Sequence, residues 1–348
     1  MKRVKVDRSR RKFLSGVGSG LCMACIGTAA HALRLGLDEG ASLMNPCLGA
    51  LPEALRNHPL VRAAFDGLDA SRIWDCHAHL LGNGDSGSGC WINPQLESVL
   101  YPRQYLQKKF FLNAACVEEK QFRVDHDFVA RLAQHADAFP AGAGLMLFAF
   151  DQTYREDGSL DKARAAFHVP NAYAAQVARE NPQRFRFVGS VHPYRRDVES
   201  ALRRVAADGA VAIKWLPSAM GIDPGSARCD VFYATLAKLG LPLISHAGHE
   251  RAVKGAHQQH FGNPLRLRRP LERGVTVVVA HCASMGSSPD LDRGPAGPEV
   301  ANFALFERLM DEPAHVGRLF GDLSALTQSA RAPAALDRVL ARGAEGGE

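Results

Sequence analysis

The sequence predicts an α/β protein, a TIM (β/α)8-type barrel that reads as incomplete at its C-terminus, with about seven βα units. Three observations carry this expectation. In the second half of the chain, short apolar runs alternate with helical patterns at intervals of roughly 30–40 residues, the rhythm of a parallel sheet covered by helices. Several of those runs end in a residue able to hold a metal or move a proton: His77 and His79, Asp151, His192, Lys214, His246, His281 and Asp322. No G-x-G-x-x-G follows an early run, which argues against an open dinucleotide-binding sheet.

In chain order, residues 33–70 are a lead-in, partly helical over 51–68, with Leu55, Leu60, Ala63 and Phe65 as candidate core positions. The first barrel strand is expected over 71–77. Alternation along a strand puts His77 and His79 on one face, with Cys76 and Ala78 on the other. The Gly/Ser-rich stretch 82–89 lacks the Lys and Ser/Thr of a phosphate loop, so it reads as a flexible loop on the substrate side. Helices are expected over 101–116 and 125–138. A buried strand over 144–150 precedes Asp151, and after a helix over 171–181 a third strand covers 186–191. The helix over 198–208 stops at Gly209, and the one over 231–239 stops at Gly240. Between and after them come strands over 211–216, 242–246 and 275–281, the last being the most β-rich run in the chain. A helix over 303–310, a seventh strand over 317–323 and a helix over 333–342 complete a domain spanning 71–342, before a polar tail at 343–348.

Charge is unevenly placed. The formal net charge is +6, yet residues 1–32 hold seven Lys/Arg and one acid, leaving 35 basic and 35 acidic side chains in the remainder. The excess therefore belongs to the N-terminal segment, and a nucleic-acid partner is not expected. Ser9-Arg10-Arg11-Lys12-Phe13-Leu14 resembles a bacterial twin-arginine motif. A modestly apolar stretch with four glycines follows, and Ala30-His31-Ala32 offers a small-x-small cleavage site. Residues 1–32 are thus expected to be a Tat signal that sends a folded protein to the periplasm. The eight cysteines fall in no paired zinc-ribbon spacing and suggest no particular disulfide pair.

Four histidines (His77, His79, His246 and His281) directly end three apolar strands, where neutral imidazoles converging on one end of a barrel suit a divalent metal. The segments Asp75-Cys76-His77-Ala78-His79, Ser245-His246-Ala247-Gly248 and Ala280-His281-Cys282-Ala283-Ser284 resemble the amidohydrolase superfamily, in particular its branch of metal-dependent TIM-barrel hydrolases and decarboxylases, over residues 71–326. The resemblance implies that His77, His79 and His246 are metal ligands and that His281 binds metal or activates water, with His246 and His281 closest to the chemistry. It implies one zinc ion, or two metals if Lys214 is carboxylated. A lysine that binds a substrate carboxylate, or one that reaches solvent, is the alternative for Lys214. His249 is expected on a loop facing substrate and His192 behind the ligands. His257 and His260 are expected in loops. Cys76 and Cys282 are expected to be small buried residues turned away from the metal.

The resemblance also implies an aspartate on an eighth strand. None is evident after strand seven, and the spacing of Asp322 sets it on strand seven, so the tail reads as a truncated ending. Three activities follow as alternatives. The first is a metal-dependent hydrolase of a small amide, ester or lactone, impaired by loss of that aspartate. The others are a metal-dependent decarboxylase of a small carboxylic acid and an inactive metal-binding remnant. Expected partners are a small-molecule substrate and the twin-arginine export machinery, with self-association into a homo-oligomer left open. N-terminal sequencing of protein recovered from the periplasm of a Tat-competent host is expected to read from Leu33 onward; a chain retained in the cytoplasm with Met1 intact would overturn the signal assignment.

Overall fold

Seven parallel strands form the main sheet, in the same order in space as in the chain. They are β1 (Trp74–His79), β2 (Gly144–Phe148), β3 (Phe185–Gly189), β4 (Ala212–Trp215), β5 (Leu243–His246), β6 (Val277–Ala280) and β7 (Leu319–Gly321). The computed structural model describes Asn45 and residues 47–344, apart from 51, 120–121, 254–257, 329–330 and 332–333. The expected export signal, the start of the lead-in and the tail beyond 344 lie outside the described residues.

Alternation on the strands sorts the side chains into two layers. On one face, Leu145, Leu147, Phe185, Phe187, Ile213, Trp215, Leu243, Val277 and Val279 join the large core beneath the helices. On the other, Phe148, Val188, Ala212 and Ile244 pack together with Met146 and Val278 as the inner lining of a curled half-barrel. Strand register carries this inner layer onto the polar residues. His79 pairs with Phe148, Lys214 with Ile244, and His246 with Ala280. The inward-facing positions therefore change from apolar to polar toward the C-terminal ends of the strands.

The longer helices are α1 (Pro102–Ala114), α2 (Val124–Ala136), α3 (Asn171–Glu180), α4 (Val198–Ala207), α5 (Asp230–Leu239), α6 (Asn302–Met310) and α7 (Ala334–Ala344); from β2 onward one separates each pair of strands except β5 and β6, where only the short helix Arg268–Glu272 intervenes. α4 buries the apolar stripe that its spacing announces, Val198, Ala201, Leu202 and Val205, whereas α1 buries only Lys108 and leaves Leu106 and Phe110 exposed. Phe232 of α5 stacks on Trp215 at 5.0 Å between ring centroids, and the Trp215 indole N–H donates to Ser245 Oγ at 2.7 Å. Gly240 ends α5 in the left-handed conformation (φ 66°) expected of a glycine stop. No described helix is long and apolar enough to cross a membrane.

Three expectations change. The first strand begins at Trp74 after a 3-10 turn at Ala70–Arg72, so His77 and His79 lie within the strand and not beyond its end. The lead-in folds only as two short turns of helix, Glu53–Arg56 and Pro59–Ala63. They are too short to present an apolar face, and Leu55, Leu60 and Ala63 are exposed. Phe65 is half-buried and lies edge-on to Phe139 at 6.4 Å. A disulfide also joins Cys47 to Cys116, tying the start of the described chain to the segment after α1.

The Gly/Ser stretch 82–89, expected to be flexible, is wrapped around a buried carboxylate. Asp125, on the first turn of α2, accepts hydrogen bonds from the backbone N–H groups of Asn83, Gly84 and Ser86 and from the hydroxyls of Ser86 and Ser88. Asp85 returns the favour by accepting from the N–H groups of Val124 and Asp125 at the open N-terminus of the helix. Burial pushes the Asp125 pKa up, but the hydrogen bonds from Ser88, Ser86 and Gly84 outweigh it and hold the carboxyl below the usual range. This contribution to stability is therefore present above the unfolded carboxyl pKa of about 3.9 and is lost as pH falls through the lower folded value. Asp125→Ala is expected to cost about 1–3 kcal/mol in denaturant unfolding at pH 7, because it orphans several donors, and the deficit should shrink in acid; an equal cost at pH 7 and pH 3 would contradict the charge-assisted account.

Candidate metal and substrate site

His77, His281 and Asp322 form a group whose potential ligand atoms all lie within 4.8 Å of one another. They come from distant parts of the chain. His77 and His79 project from the same face of β1, with ring centroids 5.2 Å apart, as alternation requires. His281 follows β6 and opens three successive left-handed residues, His281 (φ 54°), Cys282 (φ 49°) and Ala283 (φ 50°). Such a run is unfavourable for side chains with a Cβ and is held here by its surroundings. It turns the His281 ring onto His77, at 4.4 Å and nearly parallel.

Asp322 stands just past β7, where its N–H still bonds the carbonyl of Val279 on β6. Its Oδ2 lies 2.5 Å from His77 Nδ1. Asp322, expected on strand seven, stands one residue past the end of that strand and meets strand one. β1 and β7 are the two edges of the sheet, and their C-terminal ends are brought together by this contact. Close approach is needed here: a Cβ on Gly321 would sit 2.7 Å from Cys282 Sγ.

The electrostatics favour neutral imidazoles facing an ionised carboxylate. Burial, followed by the charge of Lys214, lowers the pKa of His77, and lowers those of His79 and His246 to about 3. Burial, then Arg331, then Lys214 takes His281 to about 3 as well. Burial pushes Asp322 up, but the His77 hydrogen bond and charge and the bonds from Ser324 dominate and hold it well below the usual range. The consistent state is a neutral His77 that donates its Nδ1–H to ionised Asp322 and keeps the Nε2 lone pair free. His281 Nδ1 faces the carbonyl and the hydroxyl of Ser324, at 3.0 and 2.8 Å.

His246, at the end of β5, is buried, and its Nε2 makes no hydrogen bond among the described residues. It lies 3.5 Å from Glu250 Oε2, whose other oxygen accepts from the backbone of Ala252 and Val253. Lys214 is 1% exposed, and its Nζ has no hydrogen-bond partner among the described residues. The ammonium lies 5.0 Å from the Phe148 ring centroid, and that ring meets His77 and His79 edge-on. Burial lowers the Lys214 pKa to about 8, against the raising influence of Asp322 and Glu250.

The remaining candidates stand elsewhere. His192 is buried in a structural role: its Nε2 bonds the Met220 carbonyl, and its Nδ1 accepts from the Tyr194 N–H. His249 lies on the loop after β5, with its Nε2 3.0 Å from the Ser287 carbonyl, and is not part of the His77–His281–Asp322 group. Asp151 accepts from the His192 N–H and pairs with Arg195, so it braces the loop after β3. Cys282 is buried, as expected, and Cys76 is half-buried. His260 lies in a short 3-10 turn, while His257 falls outside the described residues. Glu250 and Arg331 were not foreseen, because both lie in irregular segments where no periodicity marks them.

The donor set fits a divalent metal: neutral imidazoles, an ionised carboxylate and a buried ring nitrogen with nothing bonded to it. A histidine buried in neutral form is protonated more readily once unfolded, so stability is fully present above the unfolded pKa of about 6.5 and falls as acid is added below it. Imidazole NMR on the full chain is expected to show His79, His246 and His281 still neutral at pH 5, while unfolding free energy declines from about pH 6.5 downward; imidazolium signals from these residues at pH 6 in the folded protein would contradict the burial argument.

The amidohydrolase family profile matches residues 74–345. No curated protein matches the chain. Among solved structures, a probable 2-pyrone-4,6-dicarboxylic acid hydrolase from Acinetobacter baumannii is 15% identical, with 79% of this chain and 77% of that one covered and a TM-score of 0.41. An uncharacterised TIM-barrel protein from Bordetella bronchiseptica is 18% identical, with 79% and 97% covered and a TM-score of 0.42. A 4-oxalomesaconate hydratase from Rhodopseudomonas palustris is 15% identical, with 76% of each chain covered and a TM-score of 0.42. With the family profile running from the first barrel strand through the last helix, the chain belongs to the amidohydrolase family.

Proposed function

We propose that the protein is a metal-dependent hydrolase that opens an amide, ester or lactone bond of a small molecule. The observation that carries this reading is the meeting of His77, His281 and Asp322 at the C-terminal end of the sheet, with the unbonded Nε2 of His246 as a further donor. His77, His79, His246 and Asp322 would hold the metal, for which zinc remains our choice. A divalent metal in this position supplies a Lewis acid that polarises a carbonyl and makes water nucleophilic at neutral pH.

The chain's own groups supply the rest. Asp322, ionised in the folded protein, takes up a proton on a carboxylate oxygen. Its bond to His77 fixes which oxygen faces the ring and which faces the Ser324 N–H. His281, oriented by donating its Nδ1–H to the Ser324 carbonyl, accepts a hydrogen bond from water on Nε2. We thus assign to Asp322 the part first expected of an aspartate on an eighth strand, and the reading of an inactive remnant loses its main support. Decarboxylation is kept as a second reading because the unpaired Lys214 ammonium offers a carboxylate a place to bind beside the same cluster. We retain export to the periplasm as part of the proposal on the strength of the N-terminal motif.

Elemental analysis of the purified chain is expected to find about one divalent metal per molecule, most of it lost from His77→Ala/His79→Ala. Asp322→Asn is expected to lower turnover by about 10²–10⁴-fold on whichever ester, lactone or amide proves to be cleaved, with CO₂ release assayed alongside. Absence of metal from the native chain under metal-replete growth would sink the reading.

A further inference from the structure

β5 ends at His246, and the chain then turns sharply. Gly248 is left-handed (φ 81°), and a Cβ there would sit 2.8 Å from the Met285 carbonyl oxygen, so the turn runs tight against its neighbours. The Gly248 N–H donates to the Gly262 carbonyl, and the His249 N–H to that of Met285. Glu250, four positions after His246, is thereby brought back beside it. One glutamine holds the Glu250 backbone from both sides: Gln259 Oε1 accepts from its N–H at 2.9 Å, and Gln259 Nε2 donates to its carbonyl at 2.7 Å. On the side chain, Oε1 accepts from the N–H groups of Ala252 and Val253, while Oε2 faces His246 Nε2.

That last contact has the wrong length for a hydrogen bond. The two side chains are 4% and 6% exposed, and the atoms stand 3.5 Å apart, whereas N–H···O bonds span about 2.7–3.2 Å. The imidazole is neutral, because burial, then the charges of Lys214 and Arg331, lower its pKa. Either a lone pair on Nε2 faces the lone pairs of the carboxylate, or an N–H points at an oxygen out of reach. Both arrangements are costly where water is excluded. A cation between the two atoms satisfies both. Two ligands about 2.0–2.2 Å from one metal, at the angles of a tetrahedral or trigonal site, stand about 3.3–3.7 Å apart, and the observed separation falls in that window. His77 Nδ1 and Asp322 Oδ2 differ: at 2.5 Å they touch directly and leave no room for an ion between them.

Glu250 is also not committed to a neighbouring cation. Its charge reaches Lys214 and Arg331, yet Lys214 Nζ has no hydrogen-bond partner among the described residues, and Arg331 Nη1 donates to Ser284 Oγ. We propose that Glu250 is a metal ligand, its Oε2 binding the same ion as His246 Nε2. This rests on the metal reading of the neighbouring cluster and adds a carboxylate to the set assigned there. It also gives the segment His246-Ala247-Gly248-His249-Glu250 a purpose: the glycine makes the turn that returns the fifth residue to the first.

The test is zinc affinity of the full chain, stripped with a chelator and titrated in competition with a chromophoric chelator. Glu250→Gln keeps an oxygen for the Ala252 and Val253 N–H groups and offers His246 an amide donor, so the metal-free variant is expected to melt no lower than the native chain. Its zinc affinity is expected to fall by more than about 100-fold, since residues that only orient a ligand cost about 10–100-fold. Glu250→Asp keeps the charge but shortens the reach. It is expected to lose affinity too, whereas a carboxylate that merely offsets Lys214 and Arg331 would be rescued by it. The visible absorption of the cobalt(II)-loaded chain is expected to change in Glu250→Gln. A smaller loss in Glu250→Gln, native affinity in Glu250→Asp, or an unchanged cobalt spectrum overturns the proposal. Zinc that is indifferent to Glu250 but lost in His77→Ala/His79→Ala would sink this inference and leave the reading of the cluster standing; a native chain that takes up no zinc would sink both.

Discussion

The contact between His77 and Asp322 does two jobs. It is a strong interaction, a neutral imidazole N–H facing a buried ionised carboxylate at 2.5 Å, and it joins the first strand of the sheet to the residue just past the last. β1 and β7 pair with no further strand on their outer sides among the described residues, so backbone hydrogen bonding does not close the half-barrel. The side chains do so at the end where the inward positions turn polar. Fold closure and site assembly are therefore one event. The left-handed turn at His281–Ala283 and the bare Cα of Gly321, which let the last two strand ends approach, serve both at once.

Much of this was legible in the sequence because the inward-facing positions change character abruptly. Val277-Val278-Val279-Ala280 runs into His281, and Leu243-Ile244-Ser245 into His246; each apolar run marks a strand, and its end marks the site. Helix ends at Gly209 and Gly240 were readable because the left-handed residue that stops a helix is usually a glycine. The partner of Asp322 was not readable. Counting along the chain assigns a residue to a strand, but it does not say that the sheet curls far enough for its edges to touch. Leu55 and Leu60 misled for the opposite reason: their spacing suits a helix, but each lies in a helix too short to bury a face.

The two buried lysines show why residue type alone does not reveal a site. Lys108 is 7% exposed and held by two carboxylates, whereas Lys214 is 1% exposed and hydrogen-bonded to nothing described. The first is an ion pair of the kind that supports a wall. The second keeps its charge unspent next to the cluster. Glu97 and Glu119 lie in irregular segments on either side of α1, so only the folded chain sets the two lysines apart.

His77 and Asp322 are 245 residues apart in sequence. Bringing them together closes nearly the largest loop that the barrel domain allows, a step whose entropic cost grows with the logarithm of loop length and which must await the strands in between. Folding of such a parallel sheet is slow because its contacts are non-local, and the site can exist only at the end of that process. Any ion or ligand that grips both residues then acts as a cross-link between the two ends of the domain.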